Sequence, residues 1–483
     1  MLKSIFDTYK LINGNCLIIY KHLLDAFQEC DSICAPYKNI VAVFFHDLMQ
    51  ILTGYIFKNI ELHQKIILPE LAGARYNVFP YIDYEDIRMG FNLEKNFYTL
   101  ESNKQRSCTY KIARNVLNIG LRKKSIALTT NAGCNKIFDV RYKILHPQLS
   151  HIYIENQDKQ LSFLIEHLCK SLEAIELTSD IKSLIALTKK HIETHCGLKE
   201  EFLSADMLVT GTTCKRQNRF LAAQAHRQNI PVLDVWHGEA DGILDEPIIG
   251  YGELLYPDYI LGYGKVKNWF LNARYTKPLY PIQDHILSNS NIVRRIHTPE
   301  KIIKALDSID NPALMYVPTG FSGLRNYGPF RALPDFHYKH WQEKVCSLFP
   351  NVILKWHSKF VLDIKDIKTD GIIEKRRFEK VYQNADVYIF DYCSTAFSIA
   401  AATSKPIIYL DLGIRNLTKN AQDAIRKRCI YVDLRQIEEK NIYDAVMEQK
   451  NKEFVNEYTC KFCLADHDEK REVTVKKTIK AII

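Results

Sequence analysis

Glycine is scarce in this chain: 19 of 483 residues, about 4% where ~7% is ordinary. Ten of them (Gly211, Gly238, Gly242, Gly250, Gly252, Gly262, Gly264, Gly320, Gly323, Gly328) fall in one stretch, so that stretch needs special backbone geometry; Gly211, Gly238, Gly262, Gly264, Gly320, Gly323 and Gly328 are expected to border one interdomain cleft. Long apolar runs are missing. The most apolar window, residues 39–57, carries His46, Asp47 and Gln50, whereas a membrane-spanning helix wants ~20 apolar residues without such groups. It is read as a buried core helix. The start, MLKSIFDTYKLING, lacks the apolar core and cleavage site of a secretory signal. There is no run of five like charges; 65 Lys+Arg stand against 56 Asp+Glu, a net charge of +9. Such dispersed charge is mostly solvated surface, and its slight basic bias suits a polyanionic substrate or an anionic membrane face. No nucleic-acid motif is present. G-x-x-x-x-G-K-[ST], a G-x-G-x-x-G between strand and helix, and H-E-x-x-H are all absent, which excludes the P-loop, the dinucleotide fingerprint and the zincin motif. The Asp-x-Asp at Asp466–Asp468 lies in the tail, away from any strand end, which argues against a metal-dependent nucleotide-sugar site.

What is present is an ordinary globular composition, 47% hydrophobic and 25% charged, with room for two domains. The 13 cysteines, from Cys16 to Cys463, are expected to be reduced thiols of a cytoplasmic protein. Cys460-x-x-Cys463 has no second pair at zinc spacing and reads as two half-buried cysteines on a terminal helix. Residues 1–200 mix helical patterns with short apolar runs, an α/β domain of undetermined strand order. From 205 the rhythm is regular: ADMLVT, VLDVW and PDYILGYG alternate with helices, as in parallel βαβ units. The Pro- and Ser/Asn-rich stretch 276–312 is read as the interdomain connection. Strands ALMYVP, NVILKWH, DVYIFD, KPIIYLDLG and CIYVDL follow, again alternating with helices. The expected division is an N-terminal α/β domain over 1–285, a Rossmann-like domain over 286–440, and a helical tail over 441–483 with the N-terminal domain as its candidate docking surface.

Ligands of open parallel sheets bind beyond the carboxyl ends of the strands. Those ends offer Gly211-Thr212-Thr213 and His237-Gly238-Glu239 in the first half, and Thr319-Gly320, His357, Asp391 and Asp411 in the second. The sharpest feature is DVYIFDYCSTAF, where a strand ends at Asp391 and a helix starts near Ser394. Ser394 is either a plain N-cap or, with Thr395 and the helix dipole, part of an anion site. His357 lies between Lys355 and Lys359 and is either a satisfied structural group or a phosphate contact. His237 is either structural, or a general base or donor-phosphate contact.

These segments resemble the CDP-glycerol glycerophosphotransferase-like enzymes, which share the GT-B fold with bacterial capsule and surface-polysaccharide transferases. LMYVPTGFSG is similar to their "LYAPT-R" segment, LKWH to "K-P-H-P", VLDVWHGE to the "QHG" corner, and ADVYIFDYCSTAFSIAAATSKPIIYLDLG to their "AD-L-TDYSS" block. The resemblance covers roughly residues 205–435. Cys393 stands where the family has Ser, Ser358 where it has Pro, Trp236 replaces the residue before the His-Gly corner, and Arg325 is the nearest Arg after the "PT". A divergent member is implied.

The resemblance implies that His237 is the acceptor-side base, with Glu239 beside it. His357, Ser394 and Thr395 would hold the donor phosphates, Asp391 would orient their loop, and Thr319-Gly320 would border the donor nucleotide. Gly211, Thr212, Thr213 and Gly238 would form the acceptor-side loop. The expected function is a metal-independent transferase with no cofactor, using a CDP-, CMP- or UDP-linked donor and a polysaccharide or lipid-linked acceptor. The expected location is cytoplasmic, with peripheral contact to the inner membrane face or to polysaccharide assembly proteins. A nucleotide-sugar 2-epimerase-like isomerase and a non-catalytic GT-B scaffold are the alternatives.

Overall fold

A computed structural model of the chain describes residues 1–64, 124–129, 142–149, 151–178, 181–213, 216–236, 243–246, 254–264, 283–284, 305–318, 335–356, 367–464 and 471–483. The expected α/β class holds. The strands are, in chain order, β1 (Ser125–Leu128), β2 (Lys143–Leu145), β3 (Ile152–Tyr153), β4 (Cys196–Gly197), β5 (Met207–Thr210), β6 (Val232–Val235), β7 (Tyr259–Leu261), β8 (Gln283–Asp284), β9 (Leu314–Val317), β10 (Ile353–Lys355), β11 (Ile373–Glu374), β12 (Val387–Phe390), β13 (Ile407–Asp411) and β14 (Ile430–Asp433). One six-stranded sheet has the order β2-β1-β5-β6-β7-β8, and a second has β11-β10-β9-β12-β13-β14. Their pairings are parallel. β3 and β4 form a separate parallel pair.

The helices are α1 (Leu2–Asp31), α2 (Ile40–Gln64), α3 (Gln157–Ala174), α4 (Ile181–His195), α5 (Arg216–Arg227), α6 (Asp335–Leu348), α7 (Phe378–Val381), α8 (Thr395–Ala401), α9 (Lys419–Arg428), α10 (Ile442–Met447) and α11 (Arg471–Ile482). The apolar window at 39–57 is indeed a core helix: Val41 to Phe45, Leu48, Met49 and Leu52 of α2 are buried. Among the described residues, no helix is long and apolar enough to cross a membrane.

Strands such as MLVT, VYIF and IIYLD are buried throughout, because a parallel sheet is covered by helices on both faces. The two faces separate by alternation. In the first sheet Ile126, Leu128, Met207, Val209, Leu233, Val235 and Leu261 pack with Val475 and Ile479 of α11. The opposite-facing Ala127, Leu208 and Val232 join the core built on α1, α2 and α5. The second sheet packs Tyr316, Leu354, Ile389, Ile408 and Val432 against Trp341 and Val345 of α6, and against Leu2, Ile5 and Tyr9 of α1. Residues from the two ends of the sequence therefore finish the cores of sheets far from them in sequence.

Two departures from the sequence-based expectations have local causes. β8 lies inside the stretch read as a connection; a two-residue Gln-Asp edge strand has no apolar pattern to reveal it. The tail is not continuously helical: α10 and α11 are separated by a π-helical turn, Thr459–Cys463. There the Asn456 side chain accepts from the Thr459 N–H at 3.1 Å and donates to the Ala401 carbonyl at 2.7 Å, competing with helix formation. Cys460 and Cys463 thus sit in this turn, unbridged, with Cys463 buried. The expected helix over VKNWFLNARY lies outside the described residues.

Asp47, the acidic residue in the apolar stretch of α2, has a structural role. Asp47 is buried, with Arg219 Nη2 at 3.3 Å, His191 Nε2 at 3.4 Å and Arg216 Nη1 at 3.9 Å. Arg219, fully buried, also donates from Nε to the Val43 carbonyl at 3.0 Å. Burial pushes the Asp47 carboxyl up, but Arg219, His191 and Arg216 outweigh it and hold the carboxyl well below the carboxylate range. A carboxyl depressed by folding stabilises fully above its unfolded value, ~3.9, and loses that contribution as pH falls below it. Asp47→Asn is expected to cost about 3–5 kcal/mol near neutral pH, since it leaves a buried guanidinium uncompensated, and to flatten the acid limb of the stability curve. Urea unfolding across pH measures both; an unchanged midpoint and acid limb would refute the anchoring role.

Candidate functional site

Counted in chain order within the second sheet, the strands run third, second, first, fourth, fifth, sixth. The order reverses between β9 and β12, and ligands of such sheets enter the crevice beyond the carboxyl ends at this point. Asp391, Tyr392, Cys393, Ser394 and Thr395 lead from the end of β12 into α8 at this switch point. Asp391 is 3% exposed. Its Oδ2 accepts from the Tyr316 hydroxyl of β9 at 2.5 Å and from Trp341 Nε1 of α6 at 2.9 Å. The carboxylate thus ties both strands of the switch point to the covering helix. Burial, and then the charge of Asp391, push the Tyr316 phenol well above its ordinary value, so it stays protonated as a donor.

Ser394 occupies the N-cap position in extended geometry (φ −140, ψ 178) but makes no side-chain capping bond. The helix therefore does not consume its hydroxyl, in contrast to Thr418, whose side chain caps α9 through the Ala421 N–H. Ser394 and Thr395 are half-buried. Cys393 is 2% exposed, and its thiol lies 3.5 Å from the Tyr409 hydroxyl. Burial pushes that thiol well up, so it packs as a small core side chain and is no nucleophile. Lys355, at the end of β10, is also largely buried; its ammonium donates to the Trp356 carbonyl at 2.6 Å, and burial pulls its pKa down. Asp411 at the end of β13 accepts from the Tyr431 hydroxyl and, at 2.8 Å, from the Gly413 N–H. That accounts for Asp411 as a turn-forming group.

A group that sequence reasoning missed stands beside the corner. Arg415 donates from Nη1 to the Tyr392 hydroxyl and stacks 4.7 Å above the Tyr392 ring. Its other edge forms a fork with Glu246: Nε meets Oε1, and Nη2 meets Oε2 at 2.8 Å. Glu246 is fully buried. Around this pair, the segment 243–246 runs alongside 414–418. The Asp245 N–H donates to the Asn416 carbonyl at 2.7 Å, the Thr418 N–H donates to the Ile243 carbonyl at 2.9 Å, and Leu244 bridges Leu417 in antiparallel sense. Tyr9 of α1 reaches the Ile414 carbonyl. The seam joins the chain just after the His237 corner to the chain just after β13. Its sequence signal is faint: an Arg four residues past a strand end, and an acidic pair in ILDEP.

The first sheet has its own switch point, between β1 and β5, where Thr129 Oγ1 donates to Thr210 Oγ1 at 3.3 Å. A small concavity lined by Thr129, His146, Gln148, Gln217 and Asn218 opens there. The predicted loop Gly211-Thr212-Thr213 follows β5 and is buried. Its carbonyls are held from inside: Thr212 accepts from Thr210 Oγ1 and from Asn218 Nδ2, both at 2.8 Å, and Thr213 accepts from Arg219 Nη1 at 3.4 Å. Gly262 and Gly264, expected to border the site, have packing roles. A Cβ on Gly262 would lie 2.8 Å from the Trp236 ring. Gly264 has φ +86, and a Cβ there would meet the Lys461 carbonyl at 2.4 Å, in the π-turn. His237, Gly238, Glu239, Thr319, Gly320 and His357 lie outside the described residues. Neither the protein-family models nor the curated proteins compared with the chain give a match.

The Arg415–Glu246 fork can be weighed by a double-mutant cycle. Arg415→Met alone should cost about 3–5 kcal/mol, because Glu246 is left buried and unpaired. Glu246→Gln combined with Arg415→Met should recover part of that loss. Additive effects of the two changes in denaturant unfolding would show that the pair does not hold the seam.

Proposed function

We propose that the chain is a metal-independent, GT-B-like transferase that moves a glycosyl or polyol-phosphate group from a nucleotide-activated donor to a polysaccharide or lipid-linked acceptor. One observation carries the reading: the Asp391–Thr395 corner, whose motif prompted the resemblance, leads from β12 at the strand-order reversal of a parallel six-stranded sheet. The uncapped hydroxyl of Ser394 adds to it. Two parallel sheets, one per half, suit an acceptor side and a donor side.

In the proposed reaction an acceptor hydroxyl attacks the activated carbon or phosphorus of the donor. His237 takes the hydroxyl proton as the new bond forms. The bond to the nucleotide phosphate breaks, and its electron pair leaves on the phosphate oxygen. Ser394, Thr395, the amide groups opening α8 and His357 stabilise that charge. Asp391 touches neither substrate; through Tyr316 and Trp341 it fixes the corner. Gly211–Thr213 forms a stiff acceptor-side wall, and Glu239 stands beside the base. The donor is CDP-, CMP- or UDP-linked. The setting is the cytoplasmic face of the membrane, in peripheral contact with it or with assembly proteins.

A thermal-shift panel of CDP, CMP, UDP and GDP compounds tests the donor side. One nucleotide should stabilise the protein, and Ser394→Ala should weaken its binding about tenfold or more, since a hydrogen bond to a charged group is worth ~1.5–3 kcal/mol. No stabilisation by any nucleotide would sink the reading. His237→Ala should lower turnover by about 10²–10⁴-fold and leave nucleotide affinity nearly intact; lost affinity would reassign His237 to the donor.

A further inference from the structure

The seam between α1 and α3 carries a cluster that the transferase reading does not use. His22 and Asp25, three residues apart, share one face of α1, and Glu29 lies on the same stripe, four residues beyond Asp25. His167 of α3 packs against them. One ligand atom from each of His22, Asp25 and His167 lies within 4.8 Å of the other two. The two imidazoles face each other with ring centroids 6.4 Å apart, tilted by 42°.

The hydrogen bonding of the cluster is incomplete in a specific way. His167 is 5% exposed. Its Nε2 lies 2.9 Å from Glu29 Oε1, so Nε2 carries the proton and Nδ1 the lone pair. That Nδ1 is enclosed with no hydrogen-bond partner, and so is Nδ1 of His22. A buried polar atom without a partner costs about 1–3 kcal/mol, and two in adjacent rings call for a shared cause. A carboxylate holding the far nitrogen of an imidazole is the arrangement that fixes a metal-ligating histidine and raises its basicity.

We propose that His22, Asp25 and His167 bind a divalent transition-metal cation of the zinc class, with Glu29 as the positioning residue of His167. Two imidazole nitrogens and one carboxylate oxygen suit Zn²⁺, with water completing a fourth position. The hard cations Mg²⁺ and Ca²⁺ prefer oxygen-only shells. The site lies between two helices and not at the strand ends, so its role is to clamp α1 to α3. It stands independently of the transferase reading.

The test uses the full chain, stripped with chelator and titrated with ZnCl₂ under reducing conditions, read by equilibrium dialysis with metal analysis and by thermal unfolding. One saturable equivalent should bind and raise Tm, with Mg²⁺ giving no shift. His22→Asn, at a half-buried position, should remove that equivalent while the protein still folds by circular dichroism. Glu29→Gln should weaken zinc about 10–100-fold, and Glu29→Asp should restore part of the affinity. The Cys460→Ser/Cys463→Ser variant controls for thiolate sites and should bind as the parent does. No saturable binding in the parent would overturn the proposal. So would binding unchanged in His22→Asn, or binding lost with the two cysteines.

Discussion

The Arg415–Glu246 fork is the constraint on which the candidate site rests. A fully buried carboxylate is tolerable only with a well-placed partner. Arg415 supplies one in bidentate geometry and gives its remaining edge to Tyr392. Tyr392 belongs to the corner that opens α8, and Glu246 belongs to the chain that follows the His237 strand. One guanidinium therefore ties the segment 243–246 to the corner that follows β12. The backbone pairing of 243–246 with 414–418 spreads the same constraint over several residues.

The two switch points are built by different means. In the first sheet, the Thr210 hydroxyl, the Asn218 amide and the Arg219 guanidinium hold the carbonyls of the Gly211–Thr213 loop, and Asp47 offsets the charge of that guanidinium. In the second, one carboxylate does the holding: Asp391 gathers a phenol from β9 and an indole from α6. An acidic group is thus kept at a proposed phosphate corner with two donors on its Oδ2, which lessens its repulsion of a bound anion. Cys393 faces the core. It therefore contributes packing beneath the corner and is not among the groups proposed to face a ligand.

Much of the second sheet was legible because its strands are unbroken apolar runs ending in Asp: VYIF before Asp391, IIYLD, and IYVD. Doubly covered parallel strands must read that way. The start of α8 was legible from Ser394-Thr395, although only the three-dimensional arrangement tells a capping serine from one whose hydroxyl is spared. The edge strands β2, β8 and β11 were not legible, being two or three residues long with exposed or polar positions. Nor were the buried charge groups. Asp47 finds His191 and Arg219 more than 140 residues away, and no local pattern encodes a long-range pairing. The glycine cluster marked special geometry correctly, but at Gly262 and Gly264 the need is close packing against Trp236 and the π-turn.

The way residues near either end of the sequence complete distant cores has a consequence for synthesis. The face of the first sheet formed by Ile126, Met207, Val209 and Leu233 is covered by Val475 and Ile479, made about 210 residues after Leu261. At ~5–20 residues per second the ribosome needs roughly 10–40 s to supply that cover. Through that interval a ready-made apolar surface waits in the nascent chain, while Leu2, Ile5 and Tyr9 wait in turn for the second sheet. The first sheet therefore cannot close that face in vectorial order, whereas the second sheet meets an α1 that has already been made. Until α11 emerges, that face is an exposed apolar surface of the kind on which partly made chains aggregate, an exposure that a string of self-contained domains avoids.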